Sequence, residues 1–143
     1  MQRWKRLILT GNRSYELGQV IQARAAYAEA LFEAERLLAD WTDVNDAIAA
    51  YVTTRHNLAD LFDSIDEPER ALCHLKAAHA RVLRLVAEAD DQPNRQLPAL
   101  RHCHRTRTEL LRYALMHGLD EPGDSLPGER TASLHRLPRS AAH

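Results

Sequence analysis

The chain has 143 residues, of which 45% are hydrophobic and 27% are charged, and its formal net charge at pH 7 is −1. These values allow one domain with a buried core, and they argue against a strongly polybasic or polyacidic protein. The apolar run Leu7-Ile8-Leu9 is too short for a secretion signal, and no stretch approaches the roughly 20 apolar residues of a membrane-spanning helix, so we predict a soluble, cytoplasmic protein.

Two helices are predicted in the first 40 residues, which are rich in Ala, Leu, Glu and Arg. The first runs from about Gln2 to Leu17 and stops at Gly18, a residue typical of helix C-termini. The second starts near Gln19 and ends in the turn at residues 40–42. Its apolar residues recur at helical spacing; they are Val20, Ala23, Tyr27, Ala30, Leu31, Ala34 and Leu38.

The third predicted helix starts at Thr42, which we expect to be its N-cap, with Asp43 beside the positive end of the helix dipole. Its apolar residues are Val44, Ala47, Ile48, Tyr51, Val52, Leu58, Ala59 and Phe62. The fourth helix is predicted to start with Asp66 as N-cap, Glu69 in the reciprocal capping position and Pro68 in the first turn. Its apolar residues are Ala71, Leu72, Leu75, Ala78, Val82, Leu85 and Val86.

The fifth predicted helix begins between Pro93 and Pro98 and ends at Gly118. Its apolar residues are Leu100, Cys103, Leu110, Leu111, Ala114 and Leu115. We expect Cys73 and Cys103 to fill small gaps in the core, since two cysteines do not form a disulfide framework. Residues 119–143 contain Pro and Gly without periodicity and are predicted to form a flexible tail.

Small and large residues alternate in the same way in two parts of the chain. The first set is Gly11, Gly18, Ala23, Tyr27 and Ala30. The second set is Leu58, Ala59, Phe62, Asp66, Ala71, Leu75 and Ala78. Small residues are needed where paired helices cross closely. Both sets resemble the tetratricopeptide repeat, a helical hairpin that stacks into solenoids.

The resemblance implies an all-α fold, a solenoid of two long hairpins and a fifth capping helix. The hairpins are expected at about residues 2–39 and 43–89 and the capping helix at about 94–118, within one domain of residues 1–118. The two hairpins are 48 residues apart, from Ala23 to Ala71, against about 34 in the standard repeat, so longer helices are predicted. An ordinary antiparallel five-helix bundle is the alternative fold.

Tetratricopeptide-like proteins bind peptides or other proteins on a concave face, here expected to be lined by helices one, three and five. Asn12, Asn57 and the pair Arg101 and Arg105 resemble the carboxylate-binding residues of one subclass of the family. Ile8 occupies the place of that subclass's first lysine. We therefore predict a non-enzymatic adaptor; the contact residues predicted for its protein or peptide partner are Asn12, Tyr15, Arg55, Asn57, Arg101 and Arg105.

Two other functions remain open. The first is self-association, in which another copy fills the groove or covers the ends of helices two and four. The second is nucleic-acid binding through the arginine-rich fifth helix, whose arginines are Arg95, Arg101, Arg105, Arg107 and Arg112. A solvated charged face, neutralised by the acidic turns at residues 40–43, 60–69 and 88–91, is the simpler interpretation of these arginines.

The histidines and cysteines of the fourth and fifth helices do not follow metal-binding spacings. His102 and His104 are two residues apart and point to opposite sides of a helix, and His74 and His79 are five apart. No Gly-rich phosphate loop and no nucleophile elbow occurs in the sequence. We therefore predict no catalytic activity, no cofactor and no metal site.

Overall fold

The structure, a computed structural model, describes residues 1–40 and 43–119, and every regular element within them is an α-helix. The helices are α1 (Gln2–Glu16), α2 (Val20–Asp40), α3 (Val44–Ser64), α4 (Pro68–Glu88) and α5 (Pro93–Met116). The predicted all-α class is confirmed. The predicted tail lies outside the described residues except for Leu119, whose N–H donates to the Ala114 carbonyl at 2.9 Å.

The helices are arranged in two layers. Each helix packs against the next one in the chain, and α3 also contacts α1 and α5. Within the described ranges, α2 and α4 make no direct backbone contact with each other. The odd-numbered helices therefore form one face of the molecule, and α2 and α4 lie on the opposite side. The connections are short, which places consecutive helices side by side as antiparallel neighbours.

Two clusters of buried residues hold the layers together. One is centred on Tyr27, Leu61 and Phe62, and the other on Ile48 and Leu85. Small residues fill the helix crossings, as the sequence predicts; the predicted alanines, each no more than 3% exposed, are Ala23, Ala30, Ala59, Ala71 and Ala78. Burial of this continuous apolar surface is the main contribution to the stability of the fold.

Trp4 joins α1 to α3 and packs against both clusters. Its indole N–H donates to Thr54 Oγ1 at 2.8 Å, and the Thr54 hydroxyl donates to the Ala50 carbonyl at 2.7 Å. The side chain of Thr54 is fully buried, so both polar groups would be costly to leave without a partner. This chain of hydrogen bonds fixes the position of α1 on the odd-numbered face.

Gly11 is required by a close approach between α1 and α2. A Cβ atom placed on Gly11 would lie 2.5 Å from Tyr27 Cδ1, inside van der Waals contact. The ring of Tyr27 thus lies directly on the backbone of α1. The inward-facing small residue predicted at this position is confirmed.

Two predicted N-caps differ from the structure. The N-cap of α3 is Asp43, whose side chain accepts a hydrogen bond from the Asp46 N–H at 3.1 Å, while Thr42 lies outside the described residues. The N-cap of α4 is Glu67 without a side-chain hydrogen bond, so the prediction for Asp66 is wrong. Asp66 has a φ of 58°, and its N–H donates to the Asp63 carbonyl at 3.1 Å. Asp66 therefore terminates α3 rather than starting α4.

The predicted apolar side of α5 is only partly buried. Leu110 and Ala114 are buried, whereas Leu100 is 46% exposed and Leu115 is 71% exposed. Among residues 1–40 and 43–119, α5 packs against α3 and α4 alone, so a narrower stripe is covered than in α3. The prediction of Cys73 as a core residue is also wrong, because its side chain is exposed.

No helix in the described ranges is both long and apolar enough to cross a lipid bilayer.

Candidate functional site

A polar junction connects α1, α2 and α3 on the odd-numbered face. The hydroxyl of Tyr27 donates to Asn12 Oδ1 at 2.7 Å, and Asn57 Nδ2 donates to the same oxygen at 3.1 Å. Burial, followed by the nearby Tyr15 hydroxyl and acidic side chains, raises the pKa of Tyr27 to about 12, so the phenol remains a donor at neutral pH. The two asparagines that the sequence suggested as ligand contacts are thus brought together and held in place.

A groove opens beside this junction, between α3 and α5, and continues toward α1. Its larger part has a volume of about 420 Å³ and its smaller part about 190 Å³. Asn57 and Asp60 line both parts, which we call together the α3–α5 groove. Its charged lining residues are Glu16, Asp60, Asp63, Arg105, Glu109 and Arg112.

Negative charge predominates in the α3–α5 groove, since four carboxylates face two guanidinium groups. Partial desolvation, followed by the Asp63 and Glu109 carboxylates, raises the pKa of Asp60 above its usual range. The ionised form of Asp60 is therefore less favourable here than in water. A cation in the groove would relieve this repulsion, whereas an added anion would increase it.

The C-terminal end of α5 closes one end of the groove against α3. The Tyr113 hydroxyl donates to Asp63 Oδ1 at 3.0 Å, and His117 Nε2 lies 3.4 Å from the same oxygen. The rings of Tyr113 and His117 stack with centroids 4.1 Å apart. These contacts fix the position of the Asp63 carboxylate and place an aromatic surface beside it.

His56 provides a neutral polar group in the wall of the groove. Burial, followed by the positive charge of Arg105, lowers the pKa of His56 to about 4. The buried Nε2 atom makes no hydrogen bond to any of the described residues. A buried ring nitrogen without a partner is uncommon, and here it lies beside the space that a ligand would fill.

The structure brings together four of the six predicted contact residues. Asn12, Tyr15 and Asn57 line the smaller part of the groove, and Asn57 and Arg105 line the larger part. Arg101 is exposed and lies outside the groove lining.

Arg55, the remaining predicted contact, is on the opposite side of α3, so its assignment to the concave face is wrong. Its guanidinium donates to His74 Nδ1 at 3.0 Å and to the Tyr51 hydroxyl at 3.2 Å, and lies 3.8 Å from Glu35. Residues two positions apart on a helix point in nearly opposite directions, which is why Arg55 and Asn57 separate. Its neighbour His74 stacks on Phe62, and burial, followed by the charges of Arg55 and Arg24, lowers the pKa of His74 to about 4.

Sequence reasoning missed the carboxylates and His56. The sequence predicts an acidic turn at residues 60–69, but Asp60 and Asp63 both lie within α3, which continues to Ser64. A polar stripe at helical spacing, His56, Asp60 and Asp63 on α3, is visible in the sequence. A matching stripe of Arg105, Glu109 and Arg112 runs along α5. What the sequence did not reveal was that these two stripes face one another.

Residues 1–40 and 43–119 contain no cluster of three or more His, Cys, Asp or Glu side chains that could hold a metal ion. The histidines predicted to be poor metal ligands have separate roles. His79 Nδ1 lies 2.9 Å from Thr106 Oγ1, and His102 Nε2 donates to Asn45 Oδ1 at 3.2 Å. Each of these contacts joins two helices.

Comparison with known proteins assigns the chain to a family. The family described as DUF2753, protein of unknown function, matches residues 2–126, so the chain belongs to that family. Neither the curated proteins nor the solved structures contain a match.

Proposed function

We propose that this DUF2753 protein is a non-catalytic adaptor whose α3–α5 groove binds a basic segment of a polypeptide. The observation that carries the proposal is the excess of carboxylates in a groove on the face formed by α1, α3 and α5. The same face is the ligand-binding face implied by the tetratricopeptide-like spacing of small residues. We therefore propose peptide binding on this face, and the carboxylates indicate that the bound segment is positively charged.

The charges in the groove favour a cationic partner over the carboxylate that Asn12 and Asn57 suggested. Asn12 Oδ1 already accepts two hydrogen bonds from Tyr27 and Asn57. Arg105 is the one cation of the predicted anion-binding pair that lines the groove, and Glu109 is one turn away on the same helix. Arginine side chains of a partner would meet Asp60, Asp63 and Glu109 together in the larger part of the groove, where three carboxylates attract the same cation.

The first prediction concerns three substitutions, Asp60→Asn, Asp63→Asn and Glu109→Gln, made together as the groove variant. We expect a short fluorescein-labelled arginine-rich peptide to bind the natural chain and to bind the groove variant at least about tenfold more weakly. The measurement is fluorescence anisotropy at low and high salt. A glutamate-rich peptide of equal length should not bind.

A surface variant, with Glu29→Gln, Glu69→Gln and Glu88→Gln, is the matched control. It removes the same number of charges from exposed positions outside the groove lining. Equal loss of affinity in both variants would show that attraction is nonspecific and would contradict the proposal. Circular dichroism should show that the groove variant is folded, because Asp60→Asn removes an unfavourable carboxylate and so offsets the loss of the ion pairs of Asp63 with His117 and of Glu109 with Arg112.

Self-association is a second candidate function, and a specific observation favours it. Ile21 is 82% exposed and Phe32 is 72% exposed on α2. Both lie on one side of the helix, together with exposed Ala25 and Ala28. An apolar stripe on the outer face of α2 is typical of a surface covered by another protein or another copy.

A further inference from the structure

We infer that residues 130–143 of this chain occupy the α3–α5 groove in cis and compete with an outside peptide. This inference rests on the proposed function, because it assigns an occupant to the same groove. Three features carry it: the charge of the groove, the charge of the segment, and the place where α5 ends.

The charge of the segment is complementary to that of the groove. Residues 130–143 contain Arg130, Arg136 and Arg139 and have no acidic residue. The groove has two more carboxylates than guanidinium groups among its lining residues. Attraction between the two is strengthened because they are parts of one chain and meet at a high effective concentration.

The preceding residues are chemically different from this basic segment. Residues 120–129 contain four acidic residues, Asp120, Glu121, Asp124 and Glu129, and two prolines and two glycines. The carboxylates of the groove repel these acidic residues and so oppose their entry into it. They are therefore suited to connecting the groove to the basic segment rather than to filling the groove.

The place where α5 ends puts the segment within reach. Tyr113, Met116 and His117, at the end of α5, line the groove, and Leu119 packs against the core beside it. A connector of ten residues spans at most about 33 Å. The part of α5 that lines the groove, from Arg105 to His117, is about 18 Å long. The basic segment can therefore reach every part of the groove without displacing a helix.

Apolar residues in the segment also match the groove. Leu134 and Leu137 lie among the three arginines. The groove offers apolar surface from Met116, which is 71% exposed. Covering this surface would add to the charge attraction and would favour this occupant over a free arginine side chain or a polyamine.

The test uses the full chain with Arg130→Gln, Arg136→Gln and Arg139→Gln, called the segment variant. We expect it to bind the labelled arginine-rich peptide about tenfold more tightly than the natural chain does, which corresponds to a groove occupied about nine-tenths of the time. A control with Glu121→Gln, Asp124→Asn and Glu129→Gln should leave the affinity unchanged or lower it. Unchanged affinity in the segment variant would overturn the inference.

A second measurement detects the contact directly. Cys73 and Cys103 are replaced by Ser, Ser140 is replaced by Cys, and a nitroxide spin label is attached. We expect broadening of the amide signals of Asp60, Asp63 and Glu109, and its loss when the groove substitutions are added. Broadening that appears only between labelled and unlabelled molecules in a mixture would assign the contact to a second copy and overturn the cis inference.

The two proposals fail in different ways. If the arginine-rich peptide binds the natural chain and the segment variant equally well, binds the groove variant more weakly, and no broadening occurs, the groove binds peptides but the segment does not occupy it. If the peptide binds neither the natural chain nor the segment variant, the adaptor proposal fails, whatever the spin label shows. If broadening depends on the groove carboxylates, the segment lies in the groove.

Discussion

At the scale of single residues, the contact between Gly11 and Tyr27 joins the fold to the candidate site. The ring of Tyr27 lies on the backbone of α1 at Gly11, and its hydroxyl donates to Asn12 Oδ1. Tyr27 therefore serves two purposes: its ring seals the first hairpin, and its hydroxyl orients an asparagine of the groove. A helix-weakening glycine fits at this position because a Cβ atom would meet the ring of Tyr27.

Gly11→Ala tests this contact. In an exposed helix the change would stabilise by up to about 1 kcal/mol, but here the new methyl group meets the ring of Tyr27. We expect a net loss of about 1–3 kcal/mol in the free energy of unfolding. Urea denaturation followed by circular dichroism measures it.

Thr10→Ala, on the exposed side of the same helix, is the matched control and should change stability by less than about 0.5 kcal/mol. A Gly11→Ala variant as stable as the natural chain would contradict the close packing of α1 on α2. Combining Gly11→Ala with Tyr27→Leu should recover part of the loss, since the atoms that clash are removed.

At the scale of helices, α2 has the clearest unpartnered surface. One side of it packs against α1 and α3, while Ile21 and Phe32 lie on the other side, exposed to solvent. A helix at the end of an array keeps such a face unless another chain covers it. The groove and this stripe are on different sides of the molecule, so binding a peptide and self-association need not exclude each other.

Replacing Phe32 with Ser tests self-association. If the α2 stripe joins two copies, the substitution should shift the weight-average mass from dimer toward monomer at micromolar concentration, with an increase of at least about tenfold in the dissociation constant. Light scattering after size-exclusion chromatography measures the mass. Leu115→Ser, which changes an exposed leucine on α5, is the control. A natural chain that is monomeric at high concentration would exclude this role for α2.

At the scale of the whole molecule, buried histidines connect stability to pH. Burial, followed by neighbouring arginines, lowers the pKa values of His56 and His74 to about 4. The unfolded chain therefore binds more protons than the folded chain between about pH 6.5 and pH 4. Stability from these groups is fully present above pH 6.5 and is lost as the pH falls toward 4. Asp60, whose pKa is raised, acts in the opposite direction.

We expect the free energy of unfolding to fall by about 1–3 kcal/mol between pH 7 and pH 4.5, after allowance for the partial exposure of both rings. Urea denaturation at a series of pH values measures the fall. His56→Gln removes one titrating group. The free energy of unfolding should therefore change less steeply with pH in this variant, whatever its stability at pH 7. An identical slope in the variant would show that His56 has the same pKa in the folded and the unfolded chain, and would contradict its burial as a neutral group.

Much of the architecture was determined by the sequence. The helix periodicity and the small residues at Ala23, Ala30, Ala71 and Ala78 predicted the helices and their inward faces, because both features depend on spacing along one chain. The predictions of burial that were wrong on α5 depended on a second helix. Leu100 and Leu115 have helical spacing, but within the part of the chain that the structure describes too few neighbours cover α5 to bury them.

In the candidate site, some residues were predicted from the sequence and others were identified only in the tertiary structure. The sequence alone predicted Asn12, Tyr15, Asn57 and Arg105 as contact residues, because such a prediction is made one position at a time along the chain. Only the tertiary structure decided that Asp60, Asp63 and Glu109 meet in one groove and that Arg55 turns away from it. Spacing along a helix determines which residues share a face, but the electrostatic character of a groove depends on which faces of different helices are packed opposite one another.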